Sequence, residues 1–533
     1  MSKDNYLNLP TEMFEFVNTG ERITDKKLET KSMSYFADAF SRFRKNKASV
    51  AAAFIILFIV LFSIIVPIVF NGNHTDKLVT YYAKFPSRIE WTKEHLGIFD
   101  GGKNGDYREA GLIIEYAKGV GALNVEGYGD EAQVIDVTIG ESYDSVYQPV
   151  IRINKTYEVQ QGRNTTTMYD TRVDQYLSYG FIYKHLTPEE LADIEKWQAE
   201  TGKQILYPLI NTTNGYCQDA TNANYWYKTN TRLVPVKMNA FGGAMVQELS
   251  DDLVLEDNYL RDGKGRLKYT QFAGTDTSEQ YKVRILYYNY FQYQYGTTPD
   301  YLLGTDVQGY DLANRMAQGI RLSLLLAICV SAINFVIGAI WGATAGYYGG
   351  TIDLIMERIT DVLSGIPFII VATLFQIHLT QTGKVSTIGS LIFAFVITGW
   401  IGTASRVRTQ FYRFKNQEYI MAARTLGARD RRIIWKHIFP NTLGTIITSS
   451  VLVIPSVIFS ESMLSFLGIV SLGSAEGTSL GTLLSDASGT KWYYYVHVMF
   501  WPALVISLLM ICFNLFGNGL RDAFNPSLRG VEE

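Results

Sequence analysis

Six apolar runs of about 20 residues or more punctuate the chain, at 48–70 and then at about 318–346, 359–379, 387–405, 442–470 and 496–518. A helix needs roughly that length to cross the hydrocarbon of a bilayer, so each run predicts a membrane span. Pro67 falls near the end of the first, where a helix has spare backbone groups. Between the first and second runs, residues 71–300 hold no stretch long enough to span. Val134–Ile139 and Tyr281–Tyr287 instead alternate apolar and polar residues, which predicts strands. Asp262-Gly-Lys-Gly265 marks a turn. Thr187-Pro-Glu-Glu190 joins a capping box to a proline at the first helical position, so a helix should run from there to about Gly202. The fold class is therefore a polytopic α-helical membrane protein of six transmembrane helices with an inserted α+β domain.

Charge gives these spans an orientation. Arg42-Phe-Arg-Lys-Asn-Lys47 precedes the first span, the loop 406–441 is rich in Arg and Lys, and Arg521 and Arg529 follow the last. All three fall on one side if the spans alternate, and basic loops stay inside. The predicted division is a cytoplasmic segment 1–47, a first transmembrane helix 48–70, an extracellular domain 71–300 and a core 301–533 with five helices. The first span starts too late for an ordinary secretory signal.

Composition removes several chemistries. Across 533 residues the formal charge is −3, which gives no support for nucleic-acid binding. Cys217, Cys329 and Cys512 are scattered and imply no disulfide framework, and the six histidines show no metal-ligand spacing. Gly383-Lys384 lacks the upstream glycine of a phosphate-binding loop, so the chain has no visible means of hydrolysing ATP. Gly477-Thr-Ser479-Leu-Gly481 matches a hydrolase nucleophile elbow by letter, but it lies between spans without the preceding buried strand. No catalytic residues are assigned, and neither a cofactor nor a metal is expected in this chain.

The most informative stretch lies within the basic loop, from Glu418 to Asn441. Glu418-Tyr-Ile-Met-Ala-Ala-Arg-Thr-Leu-Gly427 predicts a short helix stopped by Gly427 in the left-handed conformation. Asp430 is expected to cap a second helix, and Pro440 to bar that helix from running unbroken into the next span. Ala422, Ala423 and Gly427 are small enough for another protein to approach closely, with Tyr419, Ile420, Leu426, Ile434 and Ile438 as apolar contacts.

This stretch resembles the EAA loop of ABC-importer permeases, in which Glu-Ala-Ala is followed after three residues by Gly and thirteen later by Pro. Ala422, Ala423, Gly427 and Pro440 stand at those spacings; Met421 takes the place of the Glu, with Glu418 one turn earlier. The ending His437-x-x-Pro440-Asn441 narrows the resemblance to the dipeptide, oligopeptide and nickel permeases. Leu303-Gly-Thr-Asp306-Val-Gln-Gly309-Tyr-Asp311 is similar to the family's elbow, with Thr305 or Asp306 expected to cap a short helix. Gly346-Tyr-Tyr-Gly-Gly350 with Asp353, Arg358 and Asp361 matches its inner turn. Glu461 in Glu461-Ser-Met-Leu-Ser465-Phe-Leu-Gly468, and Asn514 in the C-terminal signature, are candidates for inter-subunit packing or for the pathway.

The resemblance implies the type I ABC importer fold and the transmembrane subunit of a peptide importer. It also implies a second permease subunit, two ATPase subunits that use ATP and Mg, an extracellular solute-binding lipoprotein and a plasma-membrane location. Within it, Glu418, Tyr419, Met421, Ala422, Ala423, Gly427, Asp430, His437, Pro440 and Asn441 would form the ATPase-coupling site. A receptor or channel with a ligand-sensing domain is the alternative. The tyrosines of Tyr287-Tyr-Asn-Tyr-Phe-Gln-Tyr-Gln-Tyr295 suggest either a contact surface on the inserted domain or rings that pack a β-core or pair across strands.

Overall fold

A computed structural model describes residues 35–69, 77–139, 147–162, 164–275, 278–380, 383, 385–470, 477–489 and 493–524. The expectations for residues 1–34, Lys384 and Arg529 lie outside the described residues. The chain opens with α1 (Tyr35–Lys45) and the 23-residue α2 (Lys47–Val69), the latter apolar on nearly every side. Val66 packs against Ala313 and Ala317, so α8 (Leu312–Tyr348) begins where α2 ends and runs back alongside it.

Between them lies a region of strands and short helices. It comprises α3 (Glu90–Leu96), β1 (Gly102–Arg108), α4 (Glu109–Leu123), β2 (Val125–Glu126), β3 (Gln133–Val134), β4 (Val150–Gln161), β5 (Asn164–Asp174), α5 (Gln175–Ser178), β6 (Phe181–Leu186) and α6 (Pro188–Thr201). It continues through β7 (Leu206–Tyr207), β8 (Val236–Met238), β9 (Ala244–Val246), β10 (Thr270–Phe272), β11 (Tyr281–Leu286) and α7 (Tyr287–Tyr295). One antiparallel sheet has the order β1-β5-β4, another β10-β11-β6 with β7 also on β11. Helix α6 starts on the Thr187 capping box and stops at Gly202 in the left-handed region. Two expectations fail here. Of the strand proposed over 134–139 only Val134 lies in a sheet, as the end of β3, with Thr138 bridging singly to Val254. The tyrosine run is a helix whose Tyr287, Tyr288, Tyr290 and Phe291 are buried with Tyr82, Tyr176 and Tyr301, so these rings form a core rather than a contact surface.

The chain enters and leaves this region through a paired neck. Arg88 and Tyr301 exchange backbone hydrogen bonds at 3.0 and 2.7 Å, Lys84 N–H donates to the Asp306 carbonyl at 2.9 Å, and Val79 N–H to that of Gly309 at 3.2 Å. The cap in this elbow is neither Thr305 nor Asp306. Asp311 accepts from Ala313 N–H and caps the long α8, while Asp306 accepts from the N–H groups of Gln308, Gly309 and Tyr310 and holds the turn.

After α8 come α9 (Gly350–Ser364) and α10 (Phe368–Phe375), bent by 73° relative to one another and continued to Thr380. The span expected at 359–379 is therefore a broken pair. Pro367 between the halves explains the break, since the residue before a proline avoids the helical region and the ring removes a donor. α11 (Thr387–Gly399) and α12 (Ile401–Phe414) form one span-length helix, followed by α13 (Glu418–Thr425). α14 (Asp430–Arg432), α15 (Phe439–Val451) and α16 (Val453–Phe466) lie on a single helix of 37 residues. α17 (Leu480–Ser488) and α18 (Val496–Phe524) complete the described chain. Among the described residues, five helices are long and apolar enough to cross a membrane, six if the bent pair counts as one span.

Candidate coupling segment

The residues from Glu418 to Asn441 fold as a short helix, a left-handed turn and a restart. α13 ends where Gly427, at φ 81°, donates to the Arg424 carbonyl at 3.0 Å and Ala428 N–H donates to that of Ala423 at 3.1 Å. A Cβ at Gly427 would meet nothing within 4 Å, so glycine is required by the dihedral and not by crowding. The expected N-cap at Asp430 is displaced by one residue. Arg429 is the extended cap, and Asp430, already helical, accepts from the Tyr347 hydroxyl at 2.5 Å. Pro440 does not interrupt the helix either. Ile433–Ile438 widen into a π-turn directly before it, and the chain continues helically into α15. Such a wide turn shifts the hydrogen-bond ladder where the proline would otherwise leave a carbonyl without its donor.

The segment is pinned on its inner face. Ile420, Ile433, Ile434 and Ile438 are buried against Tyr347, Val407 and Phe411, so three of the five apolar residues expected to face a partner are spent on internal packing. Arg424 Nη2 donates to the Tyr347 oxygen at 3.2 Å. Asn441 Nδ2 bridges the Tyr419 hydroxyl at 3.2 Å and the His437 carbonyl at 2.8 Å. The outer face is apolar at its tip and basic around it: Leu426 is 88% exposed and Met421 53%, beside exposed Glu418, Ala422, Arg429, Arg431 and Arg432. Ala423 and His437 are half-buried, and Pro440 is exposed. The segment is thus held from behind while it offers a large apolar side chain to solvent.

Support for the segment comes from the end of α8. Gly338, Gly342 and Gly346 recur every fourth residue and face α12; a Cβ on Gly338 would lie 2.7 Å from Thr403 Cβ, and one on Gly346 2.7 Å from the Arg408 carbonyl oxygen. Small residues at this spacing let helices approach until their backbones touch. Asp353 of α9 accepts from Arg408 Nε and Nη2 at 2.5 and 2.7 Å and from the Tyr412 hydroxyl at 2.5 Å, while Glu357 meets the same guanidinium at 2.9 Å. Neither arrangement was identified from the sequence. The glycine spacing was readable there, whereas the Asp353–Arg408 clamp joins residues 55 positions apart. Arg358 and Asp361 pair at 3.0 Å on an exposed helix face.

Of the candidates within the bundle, Glu461 and Ser465 come together and Asn514 does not join them. Glu461 is buried and accepts from Ser323 at 3.0 Å and Ser465 at 3.1 Å. Asn514 is exposed and donates to its own helix at Met510. Ser479 is a buried N-cap for α17, bonded reciprocally with Thr482, which accounts for the Gly-Thr-Ser-Leu-Gly letters without nucleophilic chemistry.

Residues 334–530 match the family model of binding-protein-dependent transport system inner membrane components, and residues 34–83 that of the N-terminal TM domain of oligopeptide transport permease C. The dipeptide transport system permease protein DppC of Bacillus subtilis is 43% identical over 231 residues, covering 43% of this chain and 70% of that one. The oligopeptide transport system permease protein OppC of the same organism is 39% identical over 249 residues, covering 45% and 79%. OppC of Haemophilus influenzae is 39% identical over 234 residues, covering 43% and 71%.

Proposed function

The chain belongs to the dipeptide/oligopeptide permease family of ABC importers, and from that premise we propose that it forms half of a translocation pathway for peptides. In this reading a solute-binding protein delivers the peptide, a second permease supplies the other half, and two ATPase subunits take up ATP and Mg. One ATPase seats the Glu418–Asn441 segment. The Arg42 end of the bundle is cytoplasmic and residues 71–300 are extracellular.

The observation that carries this reading is that one helix runs from the docking tip to a buried contact with α8 near its far end. Asp430–Phe466 spans 37 residues, about 55 Å at 1.5 Å per residue. It begins at the turn that displays Leu426 and carries Glu461 into contact with Ser323 of α8. A push at the segment by closing ATPases therefore travels as a rigid-body tilt, the kind of movement that alternates access.

Gly427→Val tests it. A β-branched residue at φ 81° opposes the left-handed turn by about 1–2 kcal/mol, yet nothing crowds the side chain. Transport-linked ATPase activity of the assembled complex should fall while the six-span chain still inserts. Unchanged coupling would remove the segment from the mechanism.

A further inference from the structure

The loop from Arg88 to Asp100 is closed on itself by a β-bridge between those residues and by the Ile89 N–H bond to the Phe99 carbonyl at 2.9 Å. Glu94 and His95 are exposed, but its other charged groups turn inward. Lys93 Nζ reaches the buried Asp174 carboxylate at 2.9 Å, the Glu90 carboxylate meets the buried Arg88 guanidinium at 2.6 Å, and Glu90 N–H donates to Asp300 at 2.9 Å. Its large apolar side chains turn outward: Trp91 is 60% exposed, Leu96 58%, Ile98 49% and Phe99 42%. Phe99 holds φ 52°, a left-handed dihedral unusual for such a residue, two positions after Gly97 at φ 64°. The outer face of the loop is thus mainly apolar, with Glu94 and His95 as its polar members.

Its place in the fold says what covers it. Ser87 donates to the Leu302 carbonyl, and Leu302 and Leu303 pack with Val66, three residues before α2 ends at Val69. Ile64, Ile65, Ile68 and Val69 of that helix end are themselves exposed. The loop thus continues the apolar rim of a membrane-spanning helix.

We infer that this loop rests on the bilayer, with Trp91, Leu96, Ile98 and Phe99 in the interface of the leaflet where α2 ends. Tryptophan and phenylalanine beside polar groups suit that depth, and the Trp91–His95 stack, with ring centroids 5.1 Å apart, places an amphipathic pair at headgroup level. The inference requires only that α2 and α8 cross the membrane; it does not depend on the cargo or on the ATPase contact.

The test uses the full chain in phosphatidylethanolamine/phosphatidylglycerol vesicles, with an environment-sensitive fluorophore on Ile98→Cys, on Leu96→Cys and, as a control, on the exposed turn residue Lys264→Cys. The unsubstituted chain, whose three cysteines are buried or half-buried, sets the background. Labels at 96 and 98 should emit at shorter wavelength than the label at 264 and be quenched by lipids doxylated near the headgroup. Labels as wet and as unquenched as the control would overturn the inference. So would shielding that arises only after assembly with partner subunits, since that would make the patch a protein interface.

Discussion

Replacing Gly342 by alanine should destabilise the bundle, although alanine is the better helix former. The added Cβ would overlap the Ala404 carbonyl oxygen and stand 2.8 Å from Val407 Cβ. Ordinary carbon contacts begin at about 3.5 Å, so α8 and α12 must separate by a large fraction of an ångström. Overpacking of this kind costs about 1–3 kcal/mol, offset by at most about 1 kcal/mol of intrinsic helix propensity. The control lies on the facing helix: at Gly402 a Cβ meets nothing within 4 Å, so Gly402→Ala keeps the propensity gain without the clash. Heating the two variants and the parent in the same detergent, and following loss of the monodisperse peak, should give the order Gly402→Ala, parent, Gly342→Ala. Equal thermal resistance of the two variants would show that the helices do not meet at this glycine and would refute the close crossing.

Other substitutions probe separate contacts. Tyr347→Phe removes the hydroxyl that binds both Asp430 and Arg424, and amide exchange over 424–432 should quicken while the inner end of α8 stays protected. Glu461→Ala leaves the Ser323 and Ser465 hydroxyls without their acceptor and should cost roughly 1–3 kcal/mol, whereas Glu461→Gln should cost less in the same thermal assay. Burial pushes the Asp100 carboxyl up, but hydrogen bonds from Arg172 and from Gly102 N–H outweigh it and hold it below the usual range. Its contribution is therefore complete above the unfolded value of about 3.9 and is lost as pH falls through the lower, folded value. Arg172→Gln should move exchange protection of β1 to a higher acid midpoint; an unchanged midpoint would count against the pair.

Local structure is legible in the sequence where a residue decides its own backbone. Gly427 and Gly202 end helices at positive φ, and Thr187 with Glu190 closes a capping box, because each outcome depends on atoms within four residues. Errors arose where a partner distant in sequence competes. Asp430 offers a good cap by composition, but Tyr347, 83 residues earlier, takes its carboxylate. Pro440 normally ends a helix, and nothing in the letters announces the π-turn that accommodates it. Ile420, Ile434 and Ile438 look the same whether they face a partner or Phe411, since apolarity carries no direction. The rings of Tyr287–Tyr295 posed the same ambiguity, and the core took them.

The neck explains how so large a region can sit between two adjacent spans. Closing a loop costs entropy that rises only logarithmically with its length, so the burden falls on bringing the ends together. Gly309 at φ 104° lies where a Cβ would overlap the Val79 carbonyl oxygen, and Gly304 at φ 82° where one would overlap that of Phe85. Both glycines therefore permit an approach that a side chain would block. The same neck contacts the entry to α18, through His497 Nε2 and the Thr305 carbonyl at 3.3 Å and through Lys84 over the Tyr495 ring at 5.4 Å. Because Asp311 at its base caps α8, a tilt of α8 must carry the neck with it or break these bonds. The region is thus mechanically joined to the helix whose other end holds Asp430, and a displacement at Asp430 would reach it without a flexible linker.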